Sequence, residues 1–272
     1  MELPLYQVDA FEEGPFTGNP AAVVPLDAPI DDRLMQRIAE ENNLSETAFT
    51  APIPGAGGDE PAFALRWFTP ATEVDLCGHA TMAAAAALRD MDALGGAERV
   101  HFSTRSGPLI AELEGDGDVA IDLPAALPEA APGADQQGAI ERALDAPVES
   151  VFLHRYALAV LPSEEHVRGL EPRQDLLRSA GIPVIATAAA EAKDLHFVSR
   201  FFAPTLGVPE DPVTGSAHCQ LVPYWAARLG ERELLARQVS ARGGRLRCRL
   251  EGDRVRLAGG ARIYLRGTIE VG

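Results

Sequence analysis

The chain contains itself twice, and no other feature limits its possible folds as much. Moved along by 137 residues, Gly78-His79-Ala80 falls on Gly215-Ser216-Ala217. Ser103, Arg105, Gly107, Leu109, Leu113, Glu114, Gly115 and Asp116 then fall on Ser240, Arg242, Gly244, Leu246, Leu250, Glu251, Gly252 and Asp253. Val23 and Pro25 fall on Val160 and Pro162. Just ahead of the two Gly-x-Ala segments the offset is 134, which sets Arg66, Phe68 and Pro70 on Arg200, Phe202 and Pro204. The second copy therefore carries three more residues in its acidic turn, Glu210-Asp211-Pro212. A unit repeated at such a period must fold twice, each copy around its own apolar face. In both copies a strand and a turn lead into a helix: the alanine-rich run after Gly78, and Gly215 to Leu229 with Leu221, Tyr224, Trp225, Ala226 and Leu229 at apolar spacing. Ser216 is the expected N-cap of the second helix. A helix start leaves backbone N–H groups free and positive, which suits a carboxylate or phosphate.

Around these two segments the pattern is mostly strand. Leu5–Val8, Ala21–Val24, Ser45–Phe49, Phe63–Phe68, Val100–Ser103, Leu109–Leu113 and Val119–Leu123 read as strands. Asp31 to Glu41 has the spacing of an amphipathic helix that Asn42-Asn43 would end. Pro124 to Gly133, rich in proline and alanine, is the expected interdomain linker. The second copy gives strands near 151–153, 157–161, 196–202, 239, 246–250, 255–257 and 262–271, and a helix near 175–180. That divides the chain into domains 1–124 and 134–260. The fold class is α+β: two pseudo-symmetric domains of mostly antiparallel strand about one long helix, without the βαβ alternation of a nucleotide-binding sheet.

Composition excludes several function classes. The net charge of −16 argues against nucleic acid and anionic membrane surfaces as partners. GxGxxG and P-loop patterns are absent. Lys193 is the single lysine and lies in a charged stretch with Glu191 and Asp194, so Schiff-base chemistry with pyridoxal is not expected. Cys77, Cys219 and Cys248 are odd in number and widely spaced, giving neither a disulfide frame nor a zinc motif. No cofactor and no metal are expected. No signal peptide or membrane-length apolar run is present, so a cytoplasmic protein is expected.

GNPAAVV, SETAF, RWFTPATEVDLCGHAT and EDPVTGSAHC occur in this order and resemble the signatures of the PhzF (phenazine biosynthesis) family. That family is itself similar in fold to diaminopimelate epimerase. The resemblance runs from Val8 to the terminal strand. It implies two β-barrels, each around a central helix, with an active site in the cleft between them. It also implies cofactor-free proton transfer, a homodimer, and a final strand, 261–272, that returns to the first domain.

Residue by residue, the resemblance makes Glu46 the general acid/base that shuttles a proton between substrate carbons. A carboxylate does this near neutral pH only where burial raises its pKa, and a placed acid–base group contributes roughly 10²–10⁴-fold. By spacing alone Glu46 is a strand-edge glutamate, His79 a helix-cap histidine and Asp211 a turn residue before proline. The resemblance makes His79 and Asp211 polar groups that hold and help protonate the substrate. Gly78, Gly215 and Ser216 would offer N–H groups and a hydroxyl to a substrate carboxylate, each helix dipole adding roughly 0.3–1 kcal/mol. The implied function is a cofactor-independent isomerase acting on a small carboxylate with an amino or hydroxyl substituent. One alternative is an amino-acid epimerase using Cys77, which resembles the first of that fold's two opposed thiols. Its counterpart is Thr214, however, and Cys219 sits too deep in its helix, so Cys77 is expected to be a small buried residue. The other alternative is a binding protein without turnover.

Overall fold

The computed structural model describes residues 1–58, 60–128 and 131–272. Its contacts divide the chain into two units, Met1–Asp122 with Ala258–Gly272, and Leu123–Leu257. The first runs β1 (Glu2–Glu12), β2 (Asn19–Pro25), α1 (Asp32–Asn42), β3 (Glu46–Pro52), β4 (Ala62–Phe68), β5 (Glu73–Val74), α2 (Gly78–Asp90), β6 (Arg99–Thr104), β7 (Gly107–Leu113) and β8 (Asp118–Pro124). The second holds α3 (Ala134–Leu144), β9 (Ser150–Leu153), β10 (Ala157–Val160), α4 (Glu164–Arg168), α5 (Gln174–Ala180), β11 (Val184–Ala189), β12 (Phe197–Ala203) and β13 (Val208–Asp211). It continues through α6 (Gly215–Leu229), β14 (Glu233–Gln238) and β15 (Gly244–Glu251), and β16 (Arg254–Glu270) carries the chain back into the first unit.

The duplication reappears strand for strand. In the first unit β1–β2 is antiparallel, β2–β3 parallel and β3–β4 antiparallel; β4 pairs antiparallel with β5 and parallel with β6, and β6–β7 is antiparallel. The second unit repeats this with β9–β10, β10–β11, β11–β12, β12–β13, β12–β14 and β14–β15. Side chains repeat it too. Arg66 forks onto Glu73 at 2.7 and 2.9 Å, and its guanidinium lies 5.1 Å from the Phe68 ring. Arg200 forks onto Glu210 at 2.7 and 2.9 Å, 4.9 Å from the Phe202 ring. A bidentate guanidinium–carboxylate pair fixes geometry as well as charge, so each copy clamps its turn to the strand before it in the same way.

In the first unit the order β1-β2-β3-β4-β6-β7-β8-β16 closes on itself, because β16 pairs with β1 from Glu2↔Glu270 to Glu12↔Gly260. Eight strands leave little interior space, and the helix that packs on β1, β2, β3 and β7 is α2. Its run of alanines answers that constraint: every residue from Gly78 to Leu88 is buried. In the second unit α6 packs on β14 and β15. Trp225 stacks on Phe197 at 5.6 Å and donates to Thr187 Oγ1 at 3.0 Å.

Several expectations are corrected. The N-cap of α6 is Thr214, in extended backbone and without a side-chain cap bond, not Ser216. Helices α3 and α4 are absent from the sequence reading, and its strand near Val239 is β14, ending at Gln238. Glu129 and Ala130 of the expected linker lie outside the described residues. Among the described residues no helix is long and apolar enough to cross a membrane. As expected, α1 ends at Asn42, with Asn43 in the left-handed region at φ 48°.

Candidate active site

Glu46 is the first residue of β3, in register with Ala21 on β2. His79 is the second residue of α2, just after Cys77, whose extended backbone (φ −143°, ψ 108°) turns the chain into the helix. The fold brings these groups together. His79 Nε2 lies 3.1 Å from Glu46 Oε2, and Nδ1 lies 3.5 Å from Cys77 Sγ and 3.4 Å from Asn19 Nδ2. The Ser45 hydroxyl donates to Asn19 Oδ1 at 3.4 Å, which turns the Asn19 amide nitrogen toward the imidazole. In the neutral ring Nδ1 then accepts and the proton sits on Nε2, facing Glu46. His79 is 5 % exposed, and the Glu46 side chain 17 %.

Burial lowers the affinity of His79 for its second proton, but attraction to Cys77 and Glu46 outweighs it and holds the imidazole well above its ordinary value. Cys77 itself is pushed up, by burial first and by the Glu46 charge second. It is therefore a thiol near neutral pH.

The second unit supplies another cluster. Asp211 ends β13, and its Oδ2 accepts from the Thr214 hydroxyl at 2.5 Å. Gln238, fully buried on β14, ties the turn down: its amide oxygen accepts from the Thr214 N–H at 3.0 Å and its nitrogen donates to the Asp211 carbonyl at 2.7 Å. The Ser216 hydroxyl does not cap α6; it lies 3.0 Å from the Tyr156 hydroxyl. Gly78 and Gly215 are the buried first residues of α2 and α6, and neither helix is capped by its N-cap side chain.

Asn19 and Tyr156, which the sequence reading does not single out, touch two of the candidate residues, His79 and Ser216. They are themselves related by the offset of 137, as are His79 and Ser216. Each copy therefore makes the same contact, between a helix-start residue and a partner 60 positions earlier. One copy has an imidazole and an amide there, the other two hydroxyls. The offset could have paired these positions; only the contact shows why they matter. A surface hollow of about 470 Å³, lined in part by Leu34, Arg37, Ile38, Ile269 and Val271, contains none of these groups.

Residues 8–268 match the family described as phenazine biosynthesis-like protein, PhzC-PhzF. The chain belongs to the PhzC/PhzF family. A Pseudomonas aeruginosa member described as an uncharacterized isomerase is 49 % identical over 273 residues, covering all of both chains. A crystal structure of a PhzF-family protein from Enterococcus faecalis is 41 % identical with a TM-score of 0.92, again over all of both chains. A hydroxyproline epimerase from Agrobacterium vitis, 12 % identical, superposes with a TM-score of 0.60 over 98 % of this chain and 92 % of its own; that likeness is one of fold. Like the family relatives at 49, 48 and 40 % identity, all described as isomerases, this PhzC/PhzF protein is an isomerase.

Proposed function

We propose that this PhzC/PhzF protein moves a proton between carbons of a small carboxylate carrying an amino or hydroxyl group, using side chains alone. The observation that carries the reading is the Glu46 carboxylate 3.1 Å from a buried imidazole at a helix start. In this mechanism Glu46 takes the proton from one carbon and returns it to another. A protonated His79 offers positive charge to the oxyanion that develops between the two steps, which is where fixed charge lowers a barrier. Asp211, bonded to Thr214, receives the amino or hydroxyl substituent of the same substrate. The N–H groups of Gly78, Gly215 and Ser216 receive its carboxylate. We also assign the working protein as a homodimer, which sedimentation of the purified chain checks.

Turnover in heavy water tests the chemistry, with unsaturated amino- and hydroxy-carboxylates as candidate substrates. Magnetic resonance of the product should show solvent deuterium at a single carbon with a shifted double bond, and Glu46→Gln should abolish it while the variant stays folded. Label at the α-carbon with both hands of the same compound would instead identify an epimerase. Cys77 beside His79 favours that second reading. Against it, Cys219 is occupied with the Gly215 carbonyl, 3.5 Å away within its own helix, so an opposing thiol is not evident.

A further inference from the structure

We propose that a second copy of this chain docks on the outer face of β16 in the first unit, about a two-fold axis that passes near Gly267. The proposal rests on the homodimer assigned above and says which face makes it. Of the eight large apolar side chains exposed among the described residues, three gather at this strand: Phe16 at 71 %, Tyr264 at 55 % and Leu265 at 40 %. The Phe16 and Tyr264 rings meet edge to face at 6.3 Å. Local backbone puts both there. Phe16 stands in the left-handed region at φ 64°, uncommon for a bulky residue. The Thr17 hydroxyl holds that turn, donating to the Gly14 carbonyl at 2.7 Å and accepting from the Glu13 N–H at 2.9 Å. Tyr264 is the extra residue of a β-bulge, since Gln7 faces Leu265 and Val8 faces Ile263. A bulge re-aims a side chain, and this one turns the Tyr264 ring outward.

Past the bulge the strand alternates, so Leu265, Gly267, Ile269 and Val271 share one face. A β-carbon at Gly267 would lie 3.6 Å from the Leu265 side chain, as neighbours on that face should. The face therefore has a knob at one end, the Phe16–Tyr264 pair, and a socket at the other, the hollow of about 470 Å³ beside α1. Leu34, Ile38, Ile269 and Val271 give the socket an apolar lining. Gly267 lies between knob and socket, with no side chain to keep another backbone away. A two-fold contact needs a patch that complements itself. A half-turn about Gly267 lays this face antiparallel on its own copy and sets each aromatic knob over the other's socket. The same half-turn carries Arg262, half exposed beside Glu12, toward a socket rim where Glu40, Glu41 and Glu270 outnumber Arg37. From Tyr264 to Val271 the face is about 24 Å long at roughly 3.4 Å per residue. A patch that buries about 800 Å² per partner is roughly 30 Å across, so this face runs most of the way over one.

The test is sedimentation of the full-length protein at micromolar concentration, with circular dichroism to show that each variant is folded. The wild type should run as a single dimer. Tyr264→Glu puts a charge into each socket, and Gly267→Trp blocks the close approach at the axis. Each should raise the Kd of the dimer roughly 30-fold or more, the scale of an interface hot spot. Both positions are exposed in the single chain, so both variants should fold. Leu127→Glu and Leu206→Glu change comparably exposed side chains of the second unit and should leave the dimer intact. A folded Tyr264→Glu or Gly267→Trp protein that dimerises like the wild type overturns this face and leaves the homodimer assignment standing. Equal weakening by Leu206→Glu overturns it too. A monomeric wild type removes both the face and the homodimer. Turnover enters none of these readouts, so the isomerase mechanism stands or falls separately.

Discussion

At the scale of single residues, two buried histidines are pushed in opposite directions. His79 is raised by attraction that overrides burial. Its contribution to stability is fully present below the unfolded value near 6.5 and fades as pH rises through the higher folded value. Cys77 and Glu46 both hold the ring up, so Glu46→Gln, which removes one of the two, should bring the His79 titration followed by magnetic resonance part of the way back toward acid. A midpoint unchanged by that substitution would show that another group holds the ring. His218 is fully buried; its Nδ1 donates to the Thr214 carbonyl at 2.8 Å, and burial lowers it to about 4. Its Nε2 is buried without a partner, so a second proton would be stranded there. The unfolded chain takes up that proton near pH 6.5 and the folded one does not. Stability is therefore present above pH 6.5 and lost as pH falls toward 4, by on the order of 3 kcal/mol. Urea unfolding midpoints across that range should fall in the wild-type protein, and much less in His218→Gln.

At the scale of elements, each helix start is held by a strand distant in sequence. Gln238 on β14 makes three bonds to the turn before α6: to the Thr214 N–H, the Asp211 carbonyl and, at 3.3 Å, the Thr214 hydroxyl. Gln238→Ala should cost about 1–3 kcal/mol by leaving buried groups unpaired. It should also loosen Asp211 to Ser216, read as faster amide exchange at Thr214 and Gly215 than elsewhere in α6. Equal exchange along the helix would show that the turn holds itself. Pro223 illustrates the same dependence within α6. It has no N–H to give the Cys219 carbonyl one turn back, and that carbonyl instead accepts from the Ala126 N–H at 2.9 Å. A helix that would otherwise be broken is completed by the segment following β8.

At the scale of the molecule, the ring of the first unit depends on a strand made last. β16 lies along β1 over nearly its whole length, and Arg266 forks onto Asp90 at the end of α2 at 2.6 and 2.7 Å. A chain stopped after Gly260 leaves β1 with an unpaired edge and opens the wall around a helix of alanines. An unpaired strand edge invites association with other chains. Such a truncated protein should aggregate, and limited proteolysis should cut first within Met1–Asp122. Wild-type resistance in that unit would show that the ring does not need its last strand.

Glu46 and His79 stand out only through the family resemblance; what the sequence by itself determined is the duplication, the two helix starts with Gly78 and Gly215, and the alanine run that follows the first of them. These are legible because periodicity, caps and repeated spacings are local, or copy a local pattern elsewhere. What the tertiary structure decided is which of those residues meet. Glu46 reaches His79 only because β3 lies beside β2 and α2 packs against both. Cys77, an inert buried thiol by pattern, lies against the same imidazole. Ser216 has the spacing of an N-cap, yet its hydroxyl is engaged by Tyr156, a residue 60 positions away. Contacts of that kind follow from strand register and core packing, which sum many small terms along the whole chain, so no single stretch of sequence carries them.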